Sequence, residues 1–147
     1  VVPDDEGVLA YLRRQQGRLA EGLGCSFAIA TADQDRAVGQ IGLWPKPCDA
    51  GRASVGYWVV PSAWRRGIAT AALKVLSAWG LGRPGLVRLE LYVEPWNEGS
   101  WRAAEAAGYQ REGLLRSWQV VGDERRDVYI YALLPDGEAT MVERLRP

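Results

Sequence analysis

Six apolar-rich stretches, each bounded by glycine, proline or charged turn residues, predict the β-strands of this chain. They cover residues 25–31, 37–44, 53–60, 86–94, 110–121 and 125–134. The polar residues 32–36 predict that the first two stretches pair as an antiparallel hairpin. Gly122–Asp123 predicts a second, longer hairpin between the last two.

Helical spacing of apolar residues predicts two longer helices. One is capped by Asp4 and Asp5 and runs to about Gly22. Its apolar stripe comprises Val8, Leu12, Leu19 and Leu23. The other follows Arg66 and stops near Gly80–Gly82. Its apolar residues at helical spacing are Ile68, Ala72, Val75, Leu76 and Trp79.

A third, short helix is predicted between Asn97, which is well placed as its N-cap, and Ala106–Ala107. Gly108 then fits the left-handed position after a helix, and Tyr109 fits the apolar residue that packs back. A charged tail from Asp136 carries a weak apolar stripe that indicates a terminal helix. The order α-β-β-β-α-β-α-β-β predicts one mixed α+β domain over residues 1–147.

Charge and composition narrow the function classes. The 18 basic and 18 acidic residues cancel and form no long basic run, which argues against nucleic acid or an acidic membrane as partner. No apolar stretch approaches the length of a transmembrane helix, so a cytoplasmic protein is expected. Cys25 and Cys48 lack metal-type spacing and are expected as buried thiols. Histidine is absent, which removes the commonest general base and metal ligand, and no metal site is predicted.

The strand that ends with residues 56–61, Gly-Tyr-Trp-Val-Val-Pro, leads into residues 64–70, Trp-Arg-Arg-Gly-Ile-Ala-Thr, at a helix start. A helix start presents unpaired N–H groups and a partial positive charge, which suit a phosphate. Gly67 lets the backbone approach such an anion, and Arg65 and Arg66 add positive charge. The stretch predicts a diphosphate-bearing ligand; an ordinary surface turn with solubilising arginines is the alternative.

This stretch and a second motif resemble a known family. Gly67 and Ala69 fit the acetyl-CoA signature Gln/Arg-x-x-Gly-x-Gly/Ala of the GCN5-related N-acetyltransferase (GNAT) superfamily. Trp64 in the first position resembles the RimJ/RimL-like branch, which acetylates ribosomal-protein N-termini. Residues 97–100, Asn-Glu-Gly-Ser, and 108–113, Gly-Tyr-Gln-Arg-Glu-Gly, are similar to that branch's second signature. The resemblance covers about Phe27 to Leu134.

The resemblance implies a GNAT fold, with flanking helices and a mixed, mostly antiparallel central sheet. Strands 53–60 and 86–94 would be its splayed parallel pair, and acetyl-CoA would lie between them. Three positions depart from the family pattern: Ser54, Ala71 and Ala104. The family has a strand and a helix before the first helix predicted here, so an N-terminal portion of the fold is expected to be absent.

The resemblance also assigns the cofactor site. Backbone groups of Val59 and Val60 would pair with the pantetheine arm. The N–H groups of the helix-start loop would hold the pyrophosphate, with the Thr70 hydroxyl as an extra donor. These loop residues are Arg65, Arg66, Gly67, Ile68, Ala69 and Thr70. Asn97 would meet the cofactor through a carbonyl or amide, and it can cap the helix at the same time; a plain N-cap is the alternative. Ser100 would lie near the sulfur as the catalytic residue that protonates the leaving thiolate or positions it.

The implied reaction is direct attack of a primary amine on the thioester, with a peptide N-terminus or a small molecule as acceptor. Deprotonating a lysine costs roughly 4 kcal/mol at neutral pH, and an α-amine under ~1 kcal/mol. Without histidine, the chain is better suited to an amine of low pKa. Glu90 or Glu94 could end a water relay that accepts the proton; the alternative is that both face solvent or pair with Arg88. A non-catalytic acyl-CoA-binding module is the alternative, and a homodimer is left open.

The tryptophans form two groups in the sequence. Trp58, Trp64 and Trp79 are predicted to lie in the core. The remaining four flank predicted loops or helix starts and are Trp44, Trp96, Trp101 and Trp118. Packing explains each of these singly, and an aromatic-lined acceptor pocket is the hypothesis for Trp44, Trp96 or Trp118.

Overall fold

Helices and strands follow the predicted order along the residues that the computed structural model describes, which are 5–33, 35–45 and 51–135. The helices are α1 (Asp5–Ala20), α2 (Ile68–Leu81) and α3 (Glu98–Ala106). The strands are β1 (Cys25–Thr31), β2 (Arg36–Pro45), β3 (Arg52–Val59), β4 (Arg88–Val93), β5 (Gln110–Val121) and β6 (Glu124–Leu133). The expected terminal helix after Asp136, and Cys48, lie outside the described residues.

One sheet contains all these strands, in the order β1-β2-β3-β4-β6-β5. Neighbours pair antiparallel except β3 and β4, which run parallel. Their parallel pairing extends only from Arg52↔Arg88 to Ser54↔Glu90, although β3 continues to Val59 and β4 to Val93. The predicted splayed parallel pair is therefore confirmed, and so is the α+β fold.

The two faces of the sheet are covered differently. On one face, here called the core face, α2 and α3 pack over buried residues of the central strands, such as Leu43, Leu89 and Leu91. Side chains alternate along each strand, so Gln40 on β2 points to the opposite face. There it accepts a hydrogen bond from Tyr11 of α1 at 2.6 Å. Within the described ranges, each helix is too short or too polar to cross a membrane.

The apolar stripe of α1 is not covered by other described residues. Val8, Leu12 and Leu19 are 41, 49 and 57% exposed. The stripe of α2 is also rotated from the prediction, because Leu73, Leu76, Ser77 and Gly80 are its buried residues. Val75, predicted on the apolar face, is 72% exposed. Cys25 is buried and free, as predicted.

The prediction that Trp58, Trp64 and Trp79 lie in the core is wrong. Their side chains are 54, 61 and 39% exposed. Trp58 points away from the core face of β3 and donates to Gln40 Oε1 at 3.3 Å. Trp79 lies at the edge of α2, between the Phe27 ring and the Arg83 guanidinium. These indoles carry enough apolar area to suggest a core, but they sit where no helix covers them.

Glu90 is fully buried at the last paired position of β3 and β4. Its Oε1 accepts from Arg52 Nη2 at 2.8 Å and from Arg88 Nε at 2.7 Å. Its Oε2 accepts from the Tyr92 hydroxyl at 2.8 Å. The predicted pairing with Arg88 is confirmed, whereas exposure to solvent is wrong, because Arg52 of the neighbouring strand β3 and Arg88 of the same strand cover the carboxylate.

The β5–β6 hairpin contains a bulge that shapes the site described below. The register shifts between Leu115 and Gln119, and Ser117 has a φ of 51°, in the left-handed region. Asp127 Oδ1 accepts from the Ser117 N–H at 2.8 Å and Arg125 donates to the Ser117 carbonyl at 3.0 Å. The bulge brings Trp118 against Tyr92, with ring centroids 6.0 Å apart and planes 7° from parallel.

Candidate functional site

A cleft of about 190 Å³ opens where β3 and β4 diverge. The side chains and backbone that line it come from both strands, from the start of α3 and from β5. They include Tyr57, Tyr92, Glu94, Trp96, Asn97, Ser100 and Gln119. The loss of strand pairing beyond Ser54 and Glu90 therefore creates a groove that ends beside Ser100.

The α2 N-terminus lies just beyond the end of β3 and has no side-chain cap from any described residue. Its N-cap Gly67 adopts a φ of 72°, and the first intrahelical bond runs from Ala71 N–H to Gly67 carbonyl. The N–H groups of Ile68, Ala69 and Thr70 precede that bond, so they have no partner within the helix. A Cβ added at Gly67 would meet nothing within 4 Å, so the space beside this N-cap is open.

Positive charge surrounds these donors. Arg65 and Arg66 are both exposed, and neither forms an ion pair with a described residue. Arg65 has a φ of 58°, which is uncommon for a residue other than glycine and costs free energy. The first turn of α2 also lacks an acidic residue. The loop thus joins free N–H donors, a helix dipole and two guanidinium groups, a combination that suits a diphosphate.

The end of β3 turns the backbone groups of Val59 toward the side on which β4 has diverged, although Val59 is not among the residues that line the cleft. The Val60 N–H donates to the Val38 carbonyl at 2.8 Å, and the Val60 carbonyl accepts from Ala63 N–H at 2.9 Å. Both backbone groups of Val60 therefore have partners inside the chain. The alternation of an antiparallel ladder turns the N–H and C=O of Val59 to the other side, where β4 diverges. The Val59 carbonyl accepts from the Trp64 indole N–H at 2.6 Å.

Asn97 and Ser100 form the start of α3. Asn97 is the N-cap, as predicted, and its Oδ1 accepts from the Ser100 N–H at 3.3 Å. The Tyr57 hydroxyl donates to the Ser100 carbonyl at 2.9 Å and lies 3.0 Å from Ser100 Oγ. A phenol has one proton, so Ser100 Oγ–H is the donor in the second contact. Burial raises the pKa of Tyr57, which keeps the phenol protonated at neutral pH.

The opposite wall of the cleft combines a carboxylate with aromatic rings. The half-buried Glu94 accepts hydrogen bonds from the Trp96 indole N–H and, at 3.5 Å, from the Gln119 amide. Tyr92 lines the same cleft and carries the stacked Trp118 ring behind it. Trp44, Trp101 and Trp118 are not among the residues that line this cleft; the first two are half-buried and Trp118 is exposed. No cluster of acidic or cysteine side chains within the described ranges is arranged to hold a metal ion.

Three polar lining residues have no role in the sequence-based assignment: Tyr57, Tyr92 and Gln119. Tyr57 stands in the Gly-Tyr-Trp motif, which could have identified it. Tyr92 alternates with buried Leu91 and Val93, so the pattern indicates only that it points to the other face. The position of Gln119 depends on the bulge at Ser117, for which the local sequence carries no signal.

Comparison with known proteins agrees with this geometry. The profile of the acetyltransferase (GNAT) domain family matches residues 2–110. This chain belongs to the GNAT family. An uncharacterized N-acetyltransferase of Bacillus licheniformis, p20, is 32% identical to this GNAT chain over 114 residues, which are 78% of the chain and 64% of p20. The chain thus spans somewhat less than two thirds of that relative.

Solved structures show the same GNAT fold. RimJ of Mycobacterium smegmatis, in complex with CoA-disulfide, superposes with a TM-score of 0.81 at 26% identity and covers 97% of this chain and 64% of that one. The microcin C7 self-immunity acetyltransferase MccE, in complex with acetyl-CoA and AMP, gives 0.82 at 17% identity, covering 90% and 73%. The predicted superfamily is confirmed, and the structural neighbours include the RimJ type.

Proposed function

We propose that this GNAT chain transfers the acetyl group of acetyl-CoA to a primary amine bound in the same cleft. The observation that carries the proposal is the junction of the diverging strands with the uncapped start of α2. An acyl-CoA requires both features, because its pantetheine arm is extended and its diphosphate is anionic. Family membership supports the same donor.

In this proposal the donor lies along β3. The Val59 N–H and C=O pair with the pantetheine amides, in place of the β4 backbone that has diverged. The Trp64 indole uses one acceptor site of the Val59 carbonyl, and a second lone pair remains. The diphosphate lies on the N–H groups of residues 65–70 beside Arg65 and Arg66. The thioester then reaches Ser100 at the far end of the cleft.

The chemistry is a direct acyl transfer. The neutral amine attacks the thioester carbonyl carbon, a C–N bond forms and the C–S bond breaks. The amine gives up one proton and the leaving thiolate gains one, so the products are an amide and a thiol. We assign the thiolate proton to Ser100 Oγ–H, which turns from the Tyr57 oxygen to the sulfur; the proton released by the amine returns to Ser100 through solvent or the Tyr57 hydroxyl, so that no alkoxide remains. A backbone N–H in the cleft stabilises the developing oxyanion.

The acceptor is an amine that loses its proton readily. The sequence contains no histidine, and Glu94 is the carboxylate that lines the cleft. An α-amine near pKa 8 costs under ~1 kcal/mol to deprotonate at neutral pH, against roughly 4 kcal/mol for lysine. Peptide N-termini and small-molecule α-amines are therefore the proposed acceptors.

Thiol release with a panel of peptide N-termini and small amines tests this proposal, together with calorimetry of acetyl-CoA binding. We expect acetyl-CoA-dependent thiol release with at least one α-amine and a saturable acetyl-CoA affinity. Tight acetyl-CoA binding without turnover on any amine would instead identify a non-catalytic acyl-CoA-binding module. Absence of binding to the folded protein would refute the donor assignment.

A further inference from the structure

We infer that the Glu94 side of the cleft selects a cationic primary amine that carries an aromatic group near its nitrogen and no carboxylate beside it. The selection concerns the acceptor and therefore rests on the acetyl transfer proposed above. Phenylalanine amide, or a peptide beginning with an aromatic residue, has this chemistry. Free amino acids and small aliphatic amines lack one part of it.

Glu94 brings an uncompensated negative charge into the cleft. Its carboxylate accepts from two neutral donors, the Trp96 indole and the Gln119 amide. It forms no ion pair with any described residue. Glu90, four residues earlier in the chain, is neutralised by both Arg52 and Arg88. A bound ammonium group would supply at Glu94 the positive charge that the protein supplies at Glu90.

The same charge discriminates among amines. In a free α-amino acid, the carboxylate lies next to the amine and would be held close to Glu94, which is unfavourable in a half-buried site. Converting that carboxylate to an amide removes the repulsion and keeps the shape. Peptide N-termini and amino acid amides are therefore favoured over free amino acids.

Aromatic surface lies beside the carboxylate. Tyr92 and Trp118 form a parallel stack, and Trp96 lines the cleft with 72% of its side chain exposed. Trp118 is not itself a lining residue, but its ring extends the stack of the cleft-lining Tyr92 and the residue is 54% exposed, so apolar area remains that a ligand can cover. A flat ring extends such a stack favourably, and an ammonium over an indole face adds cation–π attraction. The wall thus favours an aromatic side group over a methyl group.

Three matched probes separate the two parts of the selection: phenylalanine amide, alanine amide and phenylalanine. The first two differ in the ring, and the first and third differ in the carboxylate. We expect kcat/KM for phenylalanine amide to exceed that for each of the others by about tenfold, as one ring contact or one charge contact predicts.

Two variants assign the selection to residues. Glu94→Gln removes the charge and keeps an acceptor oxygen, so it should reduce the preference for phenylalanine amide over phenylalanine to about twofold or less. Trp118→Ala should do the same to the preference for phenylalanine amide over alanine amide. Acetyl-CoA affinity should stay within about twofold in both.

Matched controls exclude general surface effects. Glu98→Gln removes a carboxylate from the start of α3 that pairs with Arg102 and does not line the cleft. Trp58→Ala removes an indole that is 54% exposed, like that of Trp118, but that bonds Gln40, whereas Trp118 stacks on the cleft-lining Tyr92. Both controls should keep both preferences, and thermal unfolding checks that all four variants are folded.

The outcomes distinguish this inference from the proposed function. Unchanged preferences in Glu94→Gln and Trp118→Ala would overturn the inference while acetyl transfer stands. If the wild type acetylates no amine, calorimetric titration of the CoA-loaded protein with the three probes tests the subsite by binding alone. Tighter binding of phenylalanine amide, lost in the two variants, would support the subsite although the proposed reaction fails. Equal or undetectable binding of all probes would overturn the inference.

Discussion

Gly67 provides the sharpest test of the diphosphate site. Replacing it by Asp places a carboxylate in front of the free N–H groups of α2, where an added Cβ meets no other atom. Asn has the same shape without the charge. Both residues populate the left-handed region more readily than other side chains, so both tolerate the φ of 72° at this N-cap. The comparison between Gly67→Asp and Gly67→Asn therefore isolates the charge.

The magnitude follows from Coulomb's law. Two unit charges at 4 Å repel by about 1 kcal/mol in bulk water and about 4 kcal/mol at an effective dielectric constant of 20. Gly67 is exposed, so the lower part of this range, about 1–2 kcal/mol, applies to each diphosphate charge. Two such charges give about 2–4 kcal/mol, which is roughly a 30- to 1000-fold loss of acetyl-CoA affinity. The backbone cost is common to both variants and cancels.

Calorimetric titration with acetyl-CoA measures this difference, and urea unfolding checks that the two variants are equally stable. We expect Gly67→Asn to bind acetyl-CoA measurably and Gly67→Asp to bind at least about 30-fold more weakly. The gap should shrink at high salt, because the site is exposed. Equal affinities in two folded variants would refute the placement of the diphosphate at α2.

Three further predictions concern other parts of the site. Ser100→Ala should lower kcat by roughly a hundredfold. Tyr57→Phe should lower kcat in the wild type but not in the Ser100→Ala background. Additive effects of the two substitutions would contradict a role of Tyr57 through Ser100. Glu90→Gln should reduce the free energy of unfolding in urea by about 3 kcal/mol, because it removes the buried negative charge that faces Arg52 and Arg88. A loss under about 1 kcal/mol would contradict its structural role. The Arg88 guanidinium lowers the pKa of Glu112, so this pair stabilises the fold above the ordinary carboxyl pKa and loses that effect as pH falls through the lowered value. The difference in unfolding free energy between wild type and Glu112→Gln should therefore vanish in acid. A difference that persists at low pH would count against the pair.

Local pattern was sufficient for most elements of the fold. The strand over Cys25–Thr31 and the cap at Asn97 follow from residues that are neighbours in the chain. The family resemblance supplied the parallel pair and its divergence, because parallel pairing joins residues far apart in sequence. Within the site, the local sequence around the start of α2 predicted a ligand-binding role for Gly67. The role of Ser100 was predicted only through the family resemblance.

Features that depend on tertiary contacts were not predictable in this way. Glu90 reads as a surface carboxylate, and only Arg52 on another strand explains its burial. Trp58 reads as core because local hydrophobicity does not indicate which face a helix will cover. Gln119 reaches the cleft only through the bulge at Ser117. Each miss arises from a neighbour that is distant in sequence.

The divergence of β3 from β4 has a consequence for aggregation as well as for binding. Exposed strand edges pair readily with other chains, and proteins generally protect them. Here the segments of β3 and β4 that no longer pair lie between two central strands of the sheet and not at its edge, beside a cavity of about 190 Å³. Such a cavity admits a thin, extended ligand but not a strand of another molecule. The fold thus keeps backbone hydrogen-bonding capacity in reserve without offering a template for self-association.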